Sequence, residues 1–137
     1  MTLEQFVLKY NGTKVDFDNY AGAQCVDLFR MYNKDVNGNG HTGVCMTSGG
    51  AKDLYLDYAI MPKEKECYRK LSKTATVKAG DVAVWNSTDK NKMGHVAIVL
   101  GTLGNSLIVF EQDGFKQYGA KTNVRSKTAL LGYLRAR

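Results

Sequence analysis

The sequence predicts an α+β fold in which N-terminal helices pack on an antiparallel β-sheet. In the first part of the chain, apolar residues recur at the three- and four-residue spacing of an amphipathic helix. In the second part, short apolar runs are separated by glycines, as in a sheet of short strands. The 137 residues suffice for one core, so a single domain over 1–137 is expected.

The helical part is predicted to begin with a short amphipathic helix over residues 3–8, followed by a polar loop. A second helix is predicted over 24–32, because Cys25, Leu28, Phe29 and Tyr32 fall on one face. Residues 35–40 form a loop rich in turn-forming residues, and a short third helix is expected over 51–58.

The strands are predicted over 82–85, 95–100, 106–111 and 130–134. Glycines bound the first three, and residues 101–105 are typical of the turn of a hairpin. Because the helices come first and the strands follow, the sheet is expected to be antiparallel rather than of the alternating βα type.

Composition excludes several classes of protein. The apolar share of 44% and the charged share of 23% are those of an ordinary water-soluble globular domain. The N-terminus lacks the pattern of a signal peptide, so synthesis in the cytoplasm and no membrane insertion are expected. The net charge is +6, but the sequence contains no recognition-helix or zinc-finger pattern, and nucleic-acid binding is not expected.

A cysteine and a histidine are the strongest indications of chemistry. Cys25 lies at the predicted start of the second helix, and His95 lies at the head of a predicted strand. A helix N-terminus and an imidazolium both stabilise negative sulfur, which is the reactive form of a thiol. Glu111 ends the next strand and is a candidate for orienting the imidazole, while Gln24 is a candidate for binding the oxyanion. The alternative is that Cys25 and His95 are ordinary core residues.

Four motifs resemble those of the CHAP family (cysteine, histidine-dependent amidohydrolase/peptidase). They are QCVD at 24–27, GDVAVW at 80–85, GHVAIV at 94–99 and FEQD at 110–113. The resemblance implies a papain-like fold, with Cys25 as nucleophile and His95 as base. Asp113 stands where many members have asparagine, which leaves open whether Glu111 or Asp113 contacts the imidazole.

The resemblance also implies a function. CHAP domains are peptidoglycan hydrolases, so we expect cleavage of an amide bond in the stem peptide or cross-bridge of the bacterial wall, for phage-induced lysis. Whether the chain is an endopeptidase or an N-acetylmuramoyl-L-alanine amidase stays open. The expected partners are peptidoglycan and anionic wall polymers, and the protein is expected to act at the wall as a monomer after release from the host cytoplasm.

Two groups of alternatives remain. A bacterial wall-remodelling hydrolase of the same type shares every motif, and a non-catalytic wall-binding module shares the basic charge. A thiol-based redox protein is expected to carry a CxxC motif or a nearby resolving cysteine, for which Cys45 is the near candidate. Cys45 and Cys67 are expected to be structural thiols.

An acidic segment precedes the nucleophile and predicts a calcium site. Carboxylates at Asp16, Asp18 and Asp27 have the spacing of hard oxygen ligands, and they match the positions of acidic residues in calcium-dependent CHAP domains. Tyr20 and Gly22 are expected to add backbone carbonyl oxygens. The alternative is that the acidic residues cap a turn and the first turn of the helix.

Overall fold

The computed structural model describes residues 1–19, 22–39 and 49–137. Four α-helices lie in these ranges, with a 3-10 turn at Tyr58–Ile60 before the last of them. They are α1 (Leu3–Tyr10), α2 (Cys25–Asp35), α3 (Asp53–Leu56) and α4 (Pro62–Cys67). The strands are β1 (Tyr68–Ser72), β2 (Val82–Trp85), β3 (His95–Leu103), β4 (Ser106–Glu111), β5 (Lys121–Arg125) and β6 (Leu130–Ala136).

The strands form one six-stranded sheet in the order β1-β6-β2-β3-β4-β5, and every neighbouring pair is antiparallel. The predicted α+β class is therefore confirmed. Strands β2 and β4 have the predicted bounds, while β3 continues three residues further, through the register shift between Val99 and Gly101, to the hairpin turn.

Three elements were not predicted: α4, β1 and β5. Strands β1 and β5 are the two edges of the sheet, and each pairs with a single neighbour. Their side chains are mostly exposed, so they lack the apolar run that marks a buried strand.

Side chains on both faces of the sheet are buried. Alternation along β2 sends Val82 and Val84 towards the helices, where Phe6 of α1 and Phe29 of α2 also pack. Ala83 and Trp85 point to the other face and join a second cluster with Tyr133. The helical layer thus covers one face of the central strands, and α2 packs against β3. Within the residues that the structure describes, no helix is both long and apolar enough to span a membrane.

Candidate active site

Cys25 is the first residue of α2 and is half-buried. The N–H groups of the first turn of a helix have no partner inside the helix, and they make this end electropositive. The sulfur of Cys25 therefore lies where the backbone favours negative charge. Cys25 and Cys67 are free thiols, whereas Cys45 lies outside the described residues.

His95 begins β3 and is 7% exposed. The preceding Gly94 has a φ of 77°, and a Cβ atom there would lie 2.4 Å from the carbonyl oxygen of Trp85. Only glycine fits this backbone conformation beside β2 without strain. The close approach of these two backbone segments places the imidazole of His95 at the end of the sheet. There it forms a hydrogen bond with the side chain of Cys25.

Glu111 lies on the opposite side of the imidazole. Its Oε1 atom is 2.9 Å from Nε2 of His95, and its side chain is fully buried. Two residues of β5 also donate hydrogen bonds to this carboxylate: Asn123 through Nδ2 at 3.0 Å, and Arg125 through both Nε and Nη2. The buried charge is thus compensated by three neighbouring side chains.

These contacts shift the protonation of both groups. Burial acts to lower the pKa of His95, but its hydrogen bonds with Cys25 and Glu111 outweigh burial and raise the pKa to about 9. Burial acts to raise the pKa of Glu111, but hydrogen bonds from His95 and Arg125 lower it to about 2. At neutral pH the pair is therefore an imidazolium and a carboxylate, and the positive ring lies beside the sulfur of Cys25.

Asp113 makes its side-chain hydrogen bonds within a turn. Its Oδ1 atom accepts hydrogen bonds from the backbone N–H groups of Phe115 and Lys116, at 2.8 and 3.2 Å. Of the two carboxylates that the sequence left open, the structure brings Glu111 to His95 and uses Asp113 within a turn. The expected orienting role of Asp113 therefore has no support in this geometry.

Gln24 is the exposed residue that precedes α2. Its backbone N–H donates to Oδ2 of Asp27 at 3.0 Å, which fixes the entry of the chain into the helix. Its position next to Cys25 is compatible with the predicted contact to an oxyanion.

An open cavity of about 240 Å³ borders His95 on the sheet side. The indole of Trp85 packs against the imidazole, with ring centroids 5.6 Å apart, and donates its N–H to Ser126. Most other lining side chains are polar: Asn86, Thr88, Asn91, Arg125, Ser126 and Thr128. The cavity therefore presents several hydrogen-bonding groups beside the imidazole, and Cys25 is not among the residues that line it.

The predicted metal ligands come together in part. One oxygen from each of Asp16, Asp18 and Asp27 lies within 4.8 Å of the others. Asp27 is buried, and burial together with its acidic neighbours raises its pKa to about 6. Gly22 is half-buried with a φ of 76°, and Tyr20 lies outside the described residues.

The three carboxylates are suited to a divalent cation, because their negative oxygens lie close together. Among the described residues, one positively charged side chain lies beside them. That cation is Arg30, whose Nη1 atom is 2.8 Å from Asp18 and 4.0 Å from Asp27. One guanidinium cannot neutralise three carboxylates, so the cluster carries an excess of negative charge at neutral pH.

Several residues of the site were missed by the sequence interpretation. Asn123 and Arg125 lie two residues apart on β5, and this spacing places them on one face, but β5 itself was not recognised. Gln112 and Gln117 hold the backbone just before Cys25 through hydrogen bonds to Gln24 and Ala23. Gln112 lies inside the FEQD motif, yet its amide chemistry alone does not identify its partners.

The CHAP domain family matches residues 15–113, which is more than half of the chain and includes all the motifs that carry Cys25, His95 and Glu111. The chain belongs to the CHAP family. No protein with a curated description matches it.

Solved structures show the same CHAP fold. The crystal structure of Ly7917 matches with a TM-score of 0.68 and 19% identity, covering 99% of this chain and 62% of that one. Ly7917 with the hydrolyzing product of MDP matches with a TM-score of 0.68 and 20% identity, over 96% and 60% of the two chains. The wild-type endolysin LysIME-EF1 matches with a TM-score of 0.68 and 19% identity, over 98% and 64%. The present chain thus spans about three fifths of the length of these proteins.

Proposed function

We propose that this CHAP domain hydrolyses an amide bond in bacterial peptidoglycan by a thiol mechanism. The observation that carries the proposal is the chain of hydrogen bonds from Cys25 through His95 to Glu111, built at the N-terminus of a helix. A nucleophile, a base and a group that orients the base are the parts that acyl transfer requires. Membership of the CHAP family supports peptidoglycan as the substrate, and so does the similarity to an endolysin.

The reaction divides into acylation and deacylation. In acylation, the sulfur of Cys25 attacks the amide carbonyl carbon and forms a C–S bond. His95 then gives its proton to the leaving nitrogen as the C–N bond breaks. In deacylation, His95 takes a proton from water, the resulting hydroxide attacks the thioester, and the carboxylic acid leaves as the thiol is restored. Glu111 holds the ring in one orientation through both steps.

The negative oxygen that forms during each attack needs hydrogen-bond donors. The backbone N–H of Cys25 belongs to the first turn of α2, where N–H groups have no partner within the helix. We assign the oxyanion site to this N–H together with the side-chain amide of Gln24.

The substrate groove and the wall partners follow from charge and polarity. The polar cavity beside His95 suits a peptide, and the net charge of +6 favours approach to the anionic polymers of a wall. Lytic activity is therefore expected to weaken as salt concentration rises. The motifs are compatible with release of phage progeny and equally with bacterial wall remodelling, and with either an endopeptidase or an amidase.

Substitution of the nucleophile tests the function. Cys25→Ala and Cys25→Ser are expected to lose clearing of a purified wall suspension, whereas the matched thiol variant Cys67→Ser keeps it. Mass spectrometry of the soluble products identifies the bond, because an amidase releases a new N-terminal alanine and an endopeptidase releases new peptide ends. A folded Cys25→Ala protein that clears walls at the wild-type rate would exclude the thiol mechanism and favour a different chemistry. A wild-type protein that binds walls without clearing them would favour a wall-binding module.

Calcium is proposed as a structural ion of this domain. The carboxylates of Asp16, Asp18 and Asp27 would hold it, and it would neutralise charge that Arg30 only partly offsets. Asp16 and Asp18 lie in the loop before α2, and Asp27 lies in its first turn. An ion shared by these residues therefore ties the loop to the helix that carries Cys25.

A further inference from the structure

Gln112 is a fully buried amide at the end of the strand that carries Glu111. Its Oε1 atom accepts a hydrogen bond from the backbone N–H of Val15 at 2.6 Å. Its Nε2 atom donates to the backbone carbonyl oxygens of Val15 and Gln24, both at 2.9 Å. One side chain thus binds the backbone at two points that are nine positions apart in the sequence.

These two points enclose the segment that leads to the nucleophile. Val15 directly precedes the first carboxylate of the acidic cluster, Asp16, and Gln24 directly precedes Cys25. Neighbouring residues of an extended chain point to opposite faces. Glu111 therefore faces the imidazole, while Gln112 faces the backbone that leads into α2 at Cys25.

We propose that Gln112 is a positioning residue, which sets the distance between the sulfur of Cys25 and the imidazole of His95. The peptide carbonyl that it holds belongs to the bond between Gln24 and Cys25, so a shift of that carbonyl moves the first residue of α2. The adjacent Glu111 fixes the imidazole from the same end of β4. The positions of both reacting groups thus depend on one short stretch of backbone. This inference rests on the proposed thiol function.

The reactivity of Cys25 towards iodoacetamide tests the proposal without any substrate. Cleavage after Lys14 and Arg30 gives a tryptic peptide, residues 15–30, in which Cys25 is the one cysteine. Its alkylation rate is therefore measurable by mass spectrometry at neutral pH, and Cys67 in the same sample reports general thiol exposure. Gln112→Met keeps the volume and removes all three hydrogen bonds, whereas Gln112→Asn keeps the amide but shortens its reach.

The matched control is Asn33→Leu. Asn33 is also fully buried and also makes three hydrogen bonds, one each with Asn39 O, Asn39 Nδ2 and Tyr68 Oη. It lies two turns further along α2 from Cys25, so its loss is expected to lower the melting temperature without changing the alkylation rate of Cys25.

For Gln112→Met and Gln112→Asn, the alkylation rate of Cys25 relative to that of Cys67 is expected to fall about tenfold or more, because the sulfur is no longer held beside the imidazole that activates it. In wall clearing, kcat should fall with KM little changed. If either variant keeps the wild-type circular dichroism and the wild-type alkylation rate of Cys25, the positioning role is wrong. That result is distinct from failure of the proposed function, which only the Cys25→Ala measurement on walls reports.

Discussion

The Nε2 atom of His95 lies 2.9 Å from Oε1 of Glu111, which leaves the Nδ1 atom of the same ring to face Cys25. The two nitrogens of the imidazole therefore have separate tasks. One is held by a buried carboxylate, and the other exchanges a proton with sulfur or with the leaving group. This division requires Glu111 to stay ionised, and its low pKa of about 2 meets that requirement.

Glu111→Gln is expected to reduce kcat strongly, although the substitution hardly changes the size of the side chain. The amide presents either a donor or a weaker acceptor to Nε2, so the ring loses its fixed tautomer and the charge that stabilises an imidazolium. Replacement of the orienting carboxylate by an amide lowers kcat by about 10⁴ in a Ser-His-Asp triad. The rate of wall clearing by the purified variant is the measurement.

Asp113→Asn is the control for that variant, because it also replaces a carboxylate by an amide two residues further on. Its oxygen accepts hydrogen bonds from backbone N–H groups, and an asparagine oxygen accepts them as well. We expect a change of less than about threefold in kcat. If the two variants lose activity equally, Asp113 shares the role that we assign to Glu111.

The pH dependence of stability follows from the signs of the two shifts. The pKa of His95 is raised to about 9, so its contribution is complete below about pH 6.5 and is lost as pH rises through 9. The pKa of Glu111 is lowered to about 2, so its contribution is complete above about pH 4.5 and is lost as pH falls through 2. Both contributions are complete between about pH 4.5 and 6.5.

The melting temperature of wild type minus that of Glu111→Gln should therefore be largest between about pH 4.5 and 6.5 and should shrink on either side. Differential scanning calorimetry in buffers from pH 3 to 10 measures this difference. A difference that stays constant across the whole range would show that the ion pair does not form.

The sequence predicted the parts of the fold that have strong local signals. β2 and β4 are apolar runs next to glycine-containing turns, and their bounds agree with the structure. The edge strand β5 has the sequence KTNVR, which contains a single apolar residue and forms a strand because β4 supplies its hydrogen-bond partners. Tertiary pairing of this kind leaves no periodic pattern in the chain itself.

The same reason explains which site residues were predicted. Cys25, His95 and Glu111 were found because their residue types are rare and chemically reactive, and they fall in motifs of the CHAP family. Arg125 and Gln112 act through contacts to residues that are 14 and 97 positions away. Such contacts depend on the complete fold, so an arginine on an edge strand and a glutamine after a strand have no distinctive signal.

Calcium is expected to raise the melting temperature, and chelation with EDTA to lower it. An ion at 100 times its dissociation constant stabilises the folded state by about 2.7 kcal/mol. The most informative variant for the calcium site is Asp16→Asn, because it removes one carboxylate while the hydrogen bond between Arg30 and Asp18 stays in place. Calorimetric titration of metal-free protein measures the affinity directly.

Asp89→Ala is the matched control for Asp16→Asn. Asp89 is another exposed acidic residue, and its nearest cation is the exposed Lys92 at 3.9 Å. It should keep the full calcium response, whereas Asp16→Asn should lose most of it. Equal responses in both variants, or no response in wild type, would remove the calcium site from this domain.

Arg125 is expected to stabilise the site through Glu111. Its guanidinium donates two hydrogen bonds to the buried carboxylate and is about one third exposed. Arg125→Met leaves that carboxylate with fewer donors, at a cost of about 2 kcal/mol in the free energy of unfolding.

In Arg125→Met the pKa of Glu111 should also rise, which weakens its bond to His95 at low pH. The acid limb of the activity profile should therefore move upward in pH, while Arg125→Lys, which keeps the charge but not the paired geometry, should move it less. Chemical denaturation and the pH profile of wall clearing measure these two effects, and a wild-type acid limb in a folded Arg125→Met protein would contradict the coupling of Arg125 to Glu111.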